Sequence, residues 1–127
     1  MSSPDSARTL LCVDDNATAL DVRVALLEFH GYRVFSLTSE LETLSFLDQQ
    51  PVDAVILDYL MPDIKGDKLS LNIRERHPDL PIILISGAVD RPDSLGAAAA
   101  FVSKSAGPRR LLQVLSEQFE TKSRSAA

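Results

Sequence analysis

The sequence predicts an α/β protein built on one doubly wound, five-stranded parallel sheet, with helices on both faces. Three observations predict it. Five apolar runs, at 9–13, 32–37, 54–57, 81–85 and 101–103, are too short for buried helices, and several are rich in β-branched residues. Between them lie stretches with apolar residues at helical spacing. The whole alternation fits within 127 residues, the size of one domain able to bury its own core. Alternating strands and helices imply parallel pairing through right-handed crossovers. The expected strand order is 2-1-3-4-5, which sets strands 1 and 3 side by side at the topological switch point.

Residues 1–8 are small and polar and are expected to form a flexible lead-in. Thr9–Val13 is the first strand and ends on Asp14-Asp15-Asn16. Leu20, Val24 and Leu27 mark the first helix, which Gly31 stops. Tyr32–Leu37 is the second strand, and Thr38 or Ser39 caps a helix carrying Leu41, Leu44 and Leu47. Ala54–Leu57 is the central strand; it ends on Asp58, and Met61-Pro62 turns the chain away. After the polar turn Asp63–Asp67, with Gly66 in it, Leu69 and Ile73 mark the third helix.

Pro81–Ile85 is the fourth strand, ending on Ser86-Gly87. The polar stretch Asp90–Asp93 is interrupted by Pro92, and the alanine-rich Ser94–Ala100 is expected to hold only a short fourth helix. Phe101-Val102-Ser103 is the fifth strand, ending on Lys104. Gly107-Pro108 opens the last helix, with Leu111, Leu115 and Phe119 on one face. The domain is thus expected over 9–120, with 121–127 as a flexible tail.

Composition narrows the function. Hydrophobic residues at 45% and charged residues at 24% describe an ordinary soluble globule. A net charge of −5 argues against direct nucleic-acid binding, which needs a basic patch. The single cysteine, Cys12, excludes an internal disulfide and reads as a small core residue. No signal peptide or membrane-length apolar run is visible, so a cytoplasmic location is expected.

In open α/β sheets, ligands bind outside the carboxyl ends of the strands. Those ends carry Asp14, Asp15, Asp58, Ser86 and Lys104. Each alone has a plain structural explanation: a helix cap, a turn, a surface charge. Their coincidence at one edge is what points to a site. Carboxylates gathered together repel one another unless a cation neutralises them. Mg2+ is the natural candidate, since it takes a few carboxylates, several waters and phosphate oxygens. A hydroxyl and an ammonium facing it suit a bound phosphoryl group. Asp58 is then a carboxylate nucleophile of the kind that forms an aspartyl-phosphate.

With these residues in view, the sequence resembles the receiver domain of two-component response regulators, of flavodoxin-like fold, from about Thr9 to Phe119. Asp14-Asp15, Asp58, Met61-Pro62, Gly66, Ser86 and Lys104 carry the resemblance. It implies that Asp58 accepts a phosphoryl group from a phosphohistidine of a histidine kinase or phosphotransfer protein. It implies that Asp14, Asp15, Asp58 and the main-chain carbonyl of Leu60 hold Mg2+, and that Ser86 and Lys104 contact the phosphoryl oxygens. Ser86 and Phe101 fall at the switch positions. Such a chain is no enzyme beyond promoting its own phosphorylation and dephosphorylation, and it acts by binding a downstream protein target, here as a single-domain regulator. Two features depart from the family: Ser105 follows Lys104 where proline is usual, and only eighteen positions separate Ser86 from Lys104, about one helical turn fewer than expected. The competing readings are a phosphohydrolase with an aspartyl-phosphate intermediate and an unphosphorylated pseudo-receiver that only binds proteins.

Overall fold

The computed structural model of the chain describes residues 7–87 and 95–126. The element order is β1 (Thr9–Val13), α1 (Ala17–Phe29), β2 (Arg33–Leu37), a 3-10 turn (Glu40–Glu42), α2 (Thr43–Gln49), β3 (Ala54–Asp58) and α3 (Gly66–Arg76). Then come β4 (Ile82–Ser86), β5 (Ala100–Ser103), a second 3-10 turn (Lys104–Ala106) and α4 (Pro108–Ala126). The strands form one sheet in the order β2-β1-β3-β4-β5, and each pairing is parallel. The predicted fold class and strand order are the observed ones.

The apolar runs become strands because both of their faces are covered. Every residue of β3 and of β4 is buried. On one face, α1 and α4 pack Leu20, Leu27, Leu111, Leu115 and Phe119 onto Leu10, Ile56 and Ile83. On the other, α2 and α3 pack Leu47, Leu69 and Ile73 onto Leu11, Leu57 and Leu84. Alternate side chains of each strand therefore feed two separate cores. Cys12 lies in the first of these, as expected, and burial pushes its thiol up to about 12.

Several local expectations need correction. The second helix does not start after Ser39: the chain makes a 3-10 turn there, and Leu41 is 64% exposed. Instead Thr43 and Leu47 form the buried side of a shorter α2. The third helix begins earlier than expected, at Gly66, inside the segment read as a turn. The alanine-rich segment is not helical over its described part, 95–99. Gly96 there takes φ +60°, the Ala97 N–H donates to Ser70 Oγ at 2.9 Å, and the Ala99 N–H donates to the Ile82 carbonyl at 2.8 Å. Bonds to α3 and β4 outweigh the helix propensity of alanine. The polar stretch around Pro92, and Ser94 itself, lie outside the described residues. At the carboxyl end, α4 runs to Ala126, through the segment expected to be tail.

Candidate functional site

The site lies where β1 and β3 meet. Main-chain pairing sets the strand ends level: the Asp14 N–H donates to the Leu37 carbonyl at 3.1 Å, and the Tyr59 N–H donates to the Ile85 carbonyl at 2.7 Å. Asp58 pairs in register with Ile85, so Ser86 follows one step beyond it on the neighbouring strand. Asp14, Asp15 and Asp58 each offer a carboxylate oxygen within 4.8 Å of the others. Lys104 reaches in from the end of β5, with Nζ 3.3 Å from Asp14 Oδ2 and 3.5 Å from Asp58 Oδ2. Asp14 and Ser86 are fully buried and Asp58 nearly so, whereas Asp15 faces solvent.

The environments of the two buried carboxylates differ, and so do their proton affinities. Burial would raise Asp14, but the Asn16 N–H bond together with the Lys104 and Arg23 charges holds it below the usual carboxylate range. Asp58 goes the other way: burial, then the neighbouring Asp14 charge, pushes it up from 3.8 to about 6, with Lys104 only partly offsetting them. Asp14 thus ionises first, and Asp58 is the member of the pair that keeps its proton to higher pH.

The donor set fits a hard divalent ion. The three carboxylates are oxygen donors at one crevice, and the exposed Asp15 leaves one side open for the waters such an ion retains. The Leu60 main chain is at the same place, because its N–H points to Asp58 Oδ1 at 3.4 Å. Asn16, not Asp15, caps α1: its Oδ1 accepts from the Ala19 N–H at 3.0 Å. Asp15 therefore has no capping duty that would explain it. The Lys104-Ser105 peptide is trans, and Lys104 nevertheless reaches both buried carboxylates. Phe101 is half-buried and packs against the α2/α3 core on the sheet face it shares with Leu84 and Leu69.

Two residues of the site escape sequence reasoning. Arg23 joins Leu20 and Leu27 on the buried side of α1, with Val24 half-buried against the same core as expected, and the Arg23 Nη2 lies 3.1 Å from Asp14 Oδ2. Glu40 is 2% exposed, and its Oε1 accepts the N–H groups of Asp63 at 2.5 Å and Ile64 at 3.2 Å. Burial would raise the Glu40 carboxyl, yet its main-chain donors hold it below the usual range. It ties the 3-10 turn to the loop after Pro62 and so fixes the path of the chain leaving Asp58. The signal for Arg23 was its spacing, three after Leu20 and four before Leu27; Glu40 gave none.

A doubly wound α/β domain with an acidic, lysine-bridged crevice at its switch point has the flavodoxin-like form. The chain belongs to the response regulator receiver domain family, whose sequence profile matches residues 10–116. It is similar to the response regulator SaeR of Staphylococcus aureus, 30% identical over 107 residues, which covers 81% of this chain and 46% of that protein. The chain thus spans about half the length of the curated relatives it matches. Among solved structures, a CheY-like receiver domain protein from Methanospirillum hungatei superposes with a TM-score of 0.87 at 26% identity, covering 94% of this chain and 99% of that one. The response regulator TrrA of Thermotoga maritima, solved in complex with Mg2+ and BeF, gives 0.82 at 27% identity over 87% of this chain and 98% of that one. Among the described residues, no helix is long and apolar enough to cross a membrane.

Proposed function

We propose that this receiver is a phosphoacceptor switch: Asp58 takes a phosphoryl group from a phosphohistidine on a histidine kinase or phosphotransfer protein, with Mg2+ as cofactor. The observation that carries the proposal is the position of Lys104 Nζ, within 3.5 Å of both Asp14 and Asp58, beside three carboxylates that converge on one point. In the transfer, an Asp58 oxygen forms a bond to phosphorus as the phosphorus–nitrogen bond breaks, and the leaving imidazole nitrogen takes a proton from water. Bound Mg2+ would neutralise charge on the transferred group and on the carboxylates around it. Asp14, Asp15, Asp58 and the Leu60 carbonyl are the residues that would hold it. Lys104 supplies a fixed positive charge to the phosphoryl oxygens, and Ser86, at the end of β4, supplies a hydroxyl.

Switching follows from the same parts. A phosphoryl group on Asp58 draws Ser86 and Lys104 toward it, and Phe101, on the edge strand β5 just before Lys104 and packed against the α2/α3 core, reports that shift to the surface a downstream protein reads. Similarity to TrrA, solved with Mg2+ and BeF, supports the cofactor.

The test is intact-mass measurement after incubation with acetyl phosphate and Mg2+. The parent is expected to gain one phosphoryl group, and Asp58→Asn none. A variant that labels as fully as the parent would place the acceptor elsewhere. Steady release of phosphate from a small phosphoester would instead favour the hydrolase reading.

Asp15 separates metal binding from folding. It is exposed and is not the α1 cap, so its charge is dispensable to the fold. Asp15→Ala is expected to weaken Mg2+ binding at least about tenfold, since a unit charge beside a divalent ion is lost. The melting temperature of the metal-free variant should match or exceed the parent's, because repulsion is relieved. A clear drop in that temperature would show that Asp15 supports the structure instead.

A further inference from the structure

Arg23 is the one charged group at the crevice that phosphoryl transfer does not call for. Its slot on α1 belongs to an apolar stripe: Leu20 and Leu27, on either side of it, are both buried in the α1/α4 core. Arg23 is itself only 9% exposed. Burying a guanidinium is unfavourable unless its donors are well used. Here they are not. Nη2 pairs with Asp14 Oδ2 at 3.1 Å, while Nη1 is buried with no hydrogen-bond partner among the described residues. A leucine or methionine would fill the stripe without either penalty, so packing does not account for the residue; its charge does.

The ion pairs show what that charge is for. Asp14 Oδ2 lies between two cations, Arg23 Nη2 at 3.1 Å and Lys104 Nζ at 3.3 Å. Lys104 is shared with Asp58, whereas the only carboxylate paired with Arg23 among the described residues is Asp14. One of the three crevice carboxylates is therefore neutralised from within the fold before any metal arrives.

We propose that Arg23 is a built-in counter-cation that sets the metal affinity of the crevice: by holding the Asp14 oxygen it weakens Mg2+ binding. This rests on the reading that the crevice takes Mg2+. Arg23 is a positioning residue, acting through Asp14. An ion held by Asp14 would lie roughly 5–6 Å from the guanidinium, and at that range in a water-like dielectric one unit charge weakens a divalent ion's binding about tenfold.

The experiment is calorimetric titration of Mg2+ into the full chain, comparing the parent with Arg23→Met and Arg23→Lys. Arg23→Met, which suits the apolar stripe, should bind Mg2+ about tenfold more tightly than the parent. Arg23→Lys, which keeps the charge, should stay close to the parent. Circular dichroism checks that both fold; if the methionine variant does not, Arg23→Gln carries the same comparison, since it keeps a polar group without the charge. Equal or weaker binding by the uncharged variant overturns the proposal, as does a lysine variant that binds as tightly as the uncharged one. A parent that binds Mg2+ with variants no different from it removes this inference alone; a parent that binds none removes the functional reading and this inference with it.

Discussion

In metal-free buffer at pH 8, Asp58→Asn is expected to melt roughly 4–10 °C above the parent. The reason is the carboxyl that burial and the Asp14 charge push from 3.8 up to about 6. The folded protein holds that proton more tightly than the unfolded chain does. The Asp58 contribution to stability is therefore fully present below pH 3.8 and is lost as pH rises through about 6. Above that, folding places a negative charge beside Asp14 that the unfolded chain would leave in water. Two pKa units correspond to at most about 3 kcal/mol, and an open crevice reduces that to about 1–2 kcal/mol. Asparagine removes the charge and keeps the shape. The advantage of the variant should open between about pH 4 and pH 7 and vanish in acid. Asp14 does not blur this window, because its carboxyl is depressed and its contribution is lost only below the usual carboxylate range. Thermal melts of both proteins from pH 4 to pH 8 decide the matter. An asparagine variant that melts at or below the parent at pH 8, or a gap that ignores pH, would mean that Asp58 carries no strain.

Gly66→Ala should act in the opposite sense, lowering stability by about 1–3 kcal/mol. Away from contacts, alanine in place of glycine strengthens a helix by about 1 kcal/mol. At the start of α3 there is no room for it. A methyl group on Gly66 would lie 2.8 Å from the Asp58 carbonyl oxygen, 2.9 Å from Tyr59 Cα and 3.0 Å from a Leu84 methyl. The first two are main-chain atoms at the end of the central strand, and they cannot yield without moving Asp58. The Gly66 N–H also donates to the Tyr59 carbonyl at 2.9 Å, which locks the helix start against that strand end. The melting temperature should fall by roughly 4–12 °C. Labelling by acetyl phosphate should slow roughly ten- to hundredfold, since a displacement of about 1 Å at the reacting carboxylate is enough for that. A variant as stable and as quickly labelled as the parent would show that the strand end gives way freely.

Much of the site was legible because the strands announce themselves. Residues buried on both faces of a sheet must be apolar without interruption, so Ala54–Leu57 and Pro81–Ile85 are visible as runs, and the polar residue that ends each run is visible too. Once alternation implies a parallel sheet, and the sheet is given the flavodoxin-like order 2-1-3-4-5, Asp14, Asp15, Asp58 and Lys104 must share an edge, and they do. The helical details were less legible. Hydropathy spacing rightly admits Val24 to the α1 stripe but passes over arginine, although Arg23 faces inward beside it. Glu40, next to Ser39, looks like an acidic first-turn residue, but its oxygens serve main-chain groups 23 and 24 positions away.

By itself the sequence determined the fold class and the set of groups at the strand ends, because burial of short strands and the connectivity of parallel sheets leave few alternatives, and the flavodoxin-like order then set those groups at one crevice. Only the tertiary structure decided how the charges are shared: Arg23 and Lys104 on one Asp14 oxygen, and Asp58 left with the raised proton affinity. It also decided that the described alanines before β5 bond to Ser70 and Ile82 rather than to one another. In both cases the deciding partner comes from a distant part of the chain, and a local pattern of residue types carries no record of it.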